Sequence, residues 1–193
     1  MEAFYTLQGE GAHQGKAAYF IRLGGCDVGC HWCDVKESWD ASQHPQKSVS
    51  EIVEEASQHP ARLIVITGGE PLMYDLTELT HNLKQSGFTV NIETSGAYPL
   101  SGELDWICFS PKKFKAPLPE IYQQAHELKI IIYNKSDFRW AEQFAEKMNP
   151  QCQLFLQPEW SVAEKVLPQI IEYVKQNPQW RVSLQTHKFL HIP

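Results

Sequence analysis

Ala18-Tyr19-Phe20-Ile21-Arg22-Leu23-Gly24-Gly25-Cys26-Asp27-Val28-Gly29-Cys30-His31-Trp32-Cys33 opens as an apolar and aromatic run and ends in three closely spaced thiols. The first six residues have the length and composition of a strand, and the glycine pair stops it. The same figure repeats along the chain. Strands are predicted over residues 18–23, 63–67, 89–93, 106–109, 129–133, 153–156 and 181–185, several of them apolar almost throughout, as strands covered on both faces are. Between them lie amphipathic stretches with helical spacing. Val49, Ile52, Val53 and Ala56 form one stripe behind a Ser48/Glu51 capping box. Leu76, Leu79 and Leu83 form a second that stops at Gly87, and Phe138, Ala141, Phe144, Ala145 and Met148 a third behind a Ser136 cap. Over residues 161–176, Leu167, Ile170, Ile171 and Val174 keep helical spacing, but Pro168 lacks an amide donor and should kink or restart the helix. Strand and helix in alternation predict an α/β fold built on a mostly parallel sheet. With 193 residues and no linker or repeat, the chain is read as a single domain, 1–193.

Polar and glycine motifs cluster just after the predicted strands. The cysteines follow the first, Gly68-Gly69-Glu70-Pro71 the second, Thr94-Ser95-Gly96 the third, Ser110-Pro111-Lys112 the fourth and Gln157-Pro158-Glu159 the sixth. In a parallel sheet or barrel these positions share one rim, where active sites are assembled from separate loops.

Lys and Arg number 17 against 23 Asp and Glu. That balance gives no global positive field to hold nucleic acid or an anionic membrane, so a small-molecule substrate is expected. No apolar run is long enough to span a bilayer, and the N-terminal residues lack signal-peptide features, so a cytoplasmic protein is expected. Thiols are kept reduced there, and three within eight residues point to metal or redox chemistry; Cys108 and Cys152, in apolar runs, read as core thiols. Three thiolates can ligate three irons of a cluster and leave a fourth open for chemistry. A structural zinc site completed by His31 or His187, or three unligated thiols, remains open at this point.

The spacing of Cys26, Cys30 and Cys33, with Trp32 before the third thiol, resembles the signature of radical S-adenosylmethionine enzymes. That resemblance implies a four-iron four-sulfur cluster on the three cysteines, S-adenosylmethionine on the open iron, and catalysis by a cofactor radical with no further catalytic side chain. Further segments narrow the likeness: Thr6-Leu7-Gln8-Gly9-Glu10-Gly11, Phe20-Ile21-Arg22-Leu23, Ile92-Glu93-Thr94-Ser95-Gly96, Ser110-Pro111-Lys112, and the tail from Gln185-Thr186-His187-Lys188 to Pro193. In order and over essentially the whole chain they are similar to the 7-carboxy-7-deazaguanine synthase family. The expected architecture is therefore a compact, modified partial barrel, and the expected assembly a homodimer. The implied reaction is contraction of 6-carboxy-5,6,7,8-tetrahydropterin to 7-carboxy-7-deazaguanine with loss of ammonia, on the route to queuosine and other deazapurines.

The resemblance also implies roles. Trp32 with Cys33 and Asp34, the Gly68-Gly69-Glu70 segment, Gly96, Ser110, Pro111, Lys112 and Gln157 would contact S-adenosylmethionine. Leu7, Gln8, Gly9 and Glu10 would meet the pterin, Arg22 its carboxylate, Thr94 a polar atom, and Pro193 its amines. A small flavodoxin or ferredoxin would deliver electrons. One position departs from the pattern. The family carries Asp then Thr after the third cysteine, the Thr hydroxyl binding magnesium, and here the pair is Asp34-Val35. Valine has no oxygen, so the implied Mg2+ loses its direct ligand. A glycyl-radical activase usually adds a ferredoxin-like cysteine set, and none is present. A non-enzymatic iron-sulfur or zinc module remains the alternative from a different class.

Overall fold

The computed structural model describes residues 2–193. Eight strands form one sheet in the order of the sequence: β1 (Glu2–Leu7), β2 (Ala17–Leu23), β3 (Leu63–Gly68), β4 (Thr89–Thr94), β5 (Trp106–Phe109), β6 (Glu127–Ile132), β7 (Gln153–Pro158) and β8 (Trp180–Val182). β1 runs antiparallel to β2, with Glu2 opposite Arg22 and Leu7 opposite Ala17, and every later neighbour is parallel. The helices are α1 (Val49–Ser57), α2 (Thr77–Gln85), α3 (Ile121–Gln124), α4 (Ser136–Ala145), α5 (Ala163–Gln176) and α6 (Thr186–Leu190). β1 and β8 do not pair with each other, so the sheet is open, in keeping with a partial barrel.

One face of the sheet lies under the helices. Tyr19, Ile21, Ile64, Ile66, Val90, Ile92, Ile107, Phe109, Leu128, Ile130, Ile132 and Leu156 pack with Ala56, Leu79, Leu83, Ala141, Phe144, Val166 and Ile170 in one apolar core. Each fully buried Val, Leu, Ile or Phe among these contributes roughly 1.5–3 kcal/mol. The opposite face alternates with it along each strand: Ala18, Phe20 and Val65 form a small apolar patch, and beyond it come Asn91, Glu93, Cys108, Glu127, Lys129 and Gln157. Cover on both faces therefore extends past β2 and β3, but on β4 to β7 the second face is mainly polar, with Phe155 and Ile131 among its polar groups.

Residues 8–13 run across that polar face. The Gln8 amide donates to Glu93 at 2.9 Å, the Ala12 backbone N–H to Glu127 at 3.1 Å, and the His13 ring packs on Trp106 with centroids 4.8 Å apart. The gap between β1 and β8 is spanned by loop contacts: Gly11 N to Ser183 Oγ at 3.0 Å, Thr186 N to Gly9 O at 3.0 Å, and Thr6 Oγ1 to the Pro193 carbonyl at 3.3 Å.

Several expectations are corrected. β1 was not among the predicted strands, and β8 is a three-residue element ending before the predicted 181–185 stretch does. Ser136 does not cap α4; it is the first helical residue, and Asn134 Oδ1 accepts its N–H at 2.9 Å. Of the two outcomes expected at Pro168, a kink or a restart, the restart is corrected: α5 runs as one helix through it, behind a short 3-10 turn at Trp160–Val162. Pro168 sits in the second turn, where the missing N–H removes one bond to a carbonyl of the exposed first turn. The Ser48/Glu51 capping box forms as predicted, and Gly87 ends α2 at φ +80°.

Candidate active site

The cysteine loop leaves β2 and folds against the loop after β3. Gly69 N donates to Leu23 O and Glu70 N to Gly25 O, both at 2.9 Å. This contact explains the glycines. A Cβ on Gly69 would stand 2.1 Å from Gly25 O and 3.0 Å from Cys26 Cβ, and Gly68 holds φ +133° against the Leu23 backbone. Glu70 ties the next strand in: its buried carboxylate accepts from Thr94 Oγ1 at 2.6 Å and from Ser95 N at 2.8 Å. The ends of β2, β3 and β4 are thereby locked together.

Beside this junction opens a cavity of about 290 Å³. Its lining brings together nearly every residue singled out from the sequence: Leu7, Gln8, Gly9, Glu10, Arg22, Cys26, Cys30, Trp32, Cys33, Asp34, Gly68, Gly69, Thr94, Ser110, Lys112, Gln157 and Pro193. Glu70, Gly96 and Pro111 stand behind the wall. The Glu70 carboxylate is engaged as described, and a Cβ on Gly96 would meet the Phe109 ring at 2.8 Å, so its φ of +73° serves packing. Thr94 Oγ1 also accepts the Gly96 N–H at 3.0 Å, leaving one lone pair of the hydroxyl free. Arg22 lines the cavity while pairing with Glu2 at 2.5 Å and lying over the Phe4 ring at 5.2 Å. Lys112 donates to Ser110 O and Oγ at 2.6 and 2.7 Å, and burial pushes its ammonium below the usual lysine range. Asp34 pairs with Lys188 at 3.0 Å, which brings the tail beside the cysteine loop. Val35 lines the cavity where the pattern calls for threonine.

Sequence reasoning missed part of the lining. Glu93 and Lys129 point into the cavity from β4 and β6, and His187 leans in from α6 against Gly9. Burial pushes the His187 imidazole down, although Glu10 nearby favours its charge. A signal for Lys129 was present, because Glu127-Leu128-Lys129-Ile130 puts charge at alternate positions of a strand.

The thiols suit a cluster. Burial raises both the Cys26 and Cys30 thiols, and each is raised further by the charge of its neighbouring thiolates, Cys33 among them; for Cys30 the Lys112 ammonium acts in the opposite sense. Thiolates gathered this way call for a compensating metal charge. Among the described residues no three His, Cys, Asp or Glu side chains converge on one metal ion. A cluster needs no such convergence, since each thiolate holds a different iron. Burial pushes Cys108 well above the ordinary thiol range, so it stays a neutral core thiol.

Comparison with known proteins follows this geometry. Residues 20–110 match the radical SAM superfamily. A 7-carboxy-7-deazaguanine synthase of Flavobacterium psychrophilum is 62% identical over 193 residues, 100% of this chain and 91% of that protein. The chain belongs to the 7-carboxy-7-deazaguanine synthase family. Another 7-carboxy-7-deazaguanine synthase, from a Synechocystis species, is 51% identical across 99% of this chain and 91% of its own length. The crystal structure of QueE from Escherichia coli superposes with a TM-score of 0.82 at 31% identity, covering 95% of this chain and 91% of that one. As a radical SAM enzyme of the 7-carboxy-7-deazaguanine synthase family, the chain is implied to use a four-iron four-sulfur cluster and S-adenosylmethionine. The three thiols on one cavity wall fit that group, and no helix among the described residues is long and apolar enough to cross a membrane.

Proposed function

We propose that this chain, acting as one domain, converts 6-carboxy-5,6,7,8-tetrahydropterin to 7-carboxy-7-deazaguanine with loss of ammonia, on the route to queuosine and other deazapurines. The observation that carries this reading is that one cavity is lined both by Cys26, Cys30 and Cys33 and by Gln8, Glu10 and Arg22. A bound cluster and S-adenosylmethionine supply one-electron chemistry that removes and returns a hydrogen atom. The protein's own groups bind, orient and exclude water. Cys26, Cys30 and Cys33 hold the cluster; Trp32, Asp34, Gly68, Gly69, Ser110, Lys112 and Gln157 face the cofactor, with Glu70, Gly96 and Pro111 shaping the wall behind them. Arg22 offers donors for the substrate carboxylate beyond the one given to Glu2. Leu7, Gln8, Gly9, Glu10, Thr94 and Pro193 surround the ring system.

The setting of this activity is a cytoplasmic homodimer that receives electrons from a small flavodoxin or ferredoxin. Magnesium binds weakly, because Val35 presents methyl groups where a threonine oxygen would complete the coordination. The deciding experiment reconstitutes the enzyme anaerobically and follows carboxypterin conversion by mass spectrometry beside reductive cleavage of S-adenosylmethionine. Wild-type enzyme forms the deazaguanine, and Cys26→Ala, Cys30→Ala or Cys33→Ala each abolishes cleavage. Cleavage at the wild-type rate in any of the three, or no deazaguanine from the wild type, refutes the reading.

A further inference from the structure

Beneath the cavity sits a buried charge that none of the roles above uses. Lys129, on β6, has a side chain only 4% exposed, and its ammonium donates to Glu93 at 2.9 Å and to Glu10. Glu93 Oε1 accepts the Gln8 amide at 2.9 Å, and Gln8 Oε1 accepts the Glu10 backbone N–H at 3.0 Å. A closed circuit thus runs from the strand through two carboxylates to the Gln8-Gly9-Glu10 segment. One ammonium serves two carboxylates, so the floor keeps a net negative charge facing the cavity.

A buried lysine is costly unless it is paired, and a buried set of ion pairs replaced as a whole by apolar residues often loses no stability, whereas removing one partner alone leaves uncompensated charge. The presence of this lysine, with both partners lining the cavity, calls for another account. Gln8, Glu10, Glu93 and Lys129 all reach the cavity surface, so the circuit fixes the positions of groups a ligand would touch. We propose that Lys129 is a positioning residue for the pterin: it holds the Glu10 and Glu93 carboxylates in place and, through them, Gln8 in register, so that the floor presents acceptors to the N–H-rich edge of the ring. This inference rests on the function proposed above.

The electrostatics agree. Burial alone would raise the Glu10 carboxyl, but the Lys129 ammonium, with hydrogen bonds from Lys129, Gln157 and Gln185, holds it at about 2. Burial opposes the Lys129 charge, yet Cys108, Glu10, Glu93 and Glu127 around it hold the ammonium well above the ordinary lysine range. Since Cys108 is itself kept neutral, the carboxylates supply that effect. Of the remaining charged neighbours, Lys112 is lowered by burial and by the Lys129 charge beside it, and burial lowers the His187 imidazole as well. Between pH 6.5 and 8.5 the wild-type pair of Glu10 and Lys129 should therefore keep its charges. Without the ammonium, burial is left to raise the Glu10 carboxyl, which then holds a proton that is lost only as the pH rises.

The test is equilibrium binding of 6-carboxypterin to the reconstituted holoenzyme, read by pterin fluorescence between pH 6.5 and 8.5, with iron content and circular dichroism recorded for each variant. Each variant is compared with wild type at the same pH, so that ionisation of the pterin's own ring amide cancels. Relative to wild type, Lys129→Met should bind about tenfold or more weakly at pH 6.5 and recover as the pH rises, because Glu10 deprotonates. Lys129→Arg should restore the wild-type profile. A flat, wild-type-like curve for Lys129→Met, or a slope in Lys129→Arg equal to that of Lys129→Met, overturns the inference. Should Lys129→Met fail to fold, Glu93→Gln keeps Lys129 paired with Glu10 and should weaken binding at every pH without a slope; unchanged affinity there overturns the inference as well. A wild-type enzyme that binds no pterin overturns the proposed function together with this inference, whereas normal wild-type binding beside an unaffected variant overturns the inference alone.

Discussion

On β6, Leu128, Ile130 and Ile132 turn one way and are fully buried in the helix-covered core; Glu127 and Lys129 turn the other way and are 3% exposed. Burial is equal on the two faces, and chemistry is opposite. The helix side is held by area removed from water, which tolerates many apolar solutions. The inner side is held by matched charges and hydrogen bonds, where each group needs its partner. Glu127 shows the difference: it accepts from Trp106 Nε1 at 2.9 Å and from the Ala12 N–H at 3.1 Å, so one carboxylate fastens two strands and a loop. Asn91 Oδ1, on that same face, is a buried oxygen without a hydrogen-bond partner.

If the two faces divide stability from recognition, substitutions should separate them. Leu83→Ala, in α2 and fully buried on the helix side, should lower the unfolding free energy by about 2–5 kcal/mol in urea titration while leaving pterin affinity of the folded enzyme unchanged. A tenfold affinity loss in that variant would break the division. On the inner side, Arg22→Ala should weaken binding of 6-carboxypterin by about 1.5–3 kcal/mol, read by calorimetry. Its stability should change by less than about 1 kcal/mol, since the pair with Glu2 is partly exposed. Equal losses in stability and binding would return Arg22 to the scaffold. The smallest effect is expected at the rim: Val35→Thr should increase the response of turnover to magnesium at equal cluster content. A strong magnesium requirement already present with Val35 would show that Asp34, backbone or substrate oxygens suffice.

The outer face was legible because its signal is local. Apolar periodicity located seven of the eight strands and the stripes of α1 and α2, and the spacing of three cysteines located the cavity wall. β1 escaped because Glu2-Ala3-Phe4-Tyr5-Thr6-Leu7 is an edge strand with no fully buried residue, so its pattern carries little hydrophobic contrast. Glu93 and Lys129 escaped for a tertiary reason. In a flat sheet with one covered face, charges at alternate positions would read as solvent-facing. Only the curl of the sheet, closed by residues 8–13, turns that face into an interior. The cap on α4 was misassigned because Asn134 and Ser136 are both good capping residues, and side-chain geometry chose the first.

The glycines after β3 have a consequence for anyone redesigning this scaffold. Gly68 and Gly69 are held by contact with Leu23 and Gly25, parts of the same chain. A designer who removed all three thiols and kept only the architecture would still have to keep both glycines, because any side chain there forces two strand-end loops apart. A pattern that reads as a ligand's footprint is here also a joint in the frame, and the joint would survive the loss of the chemistry.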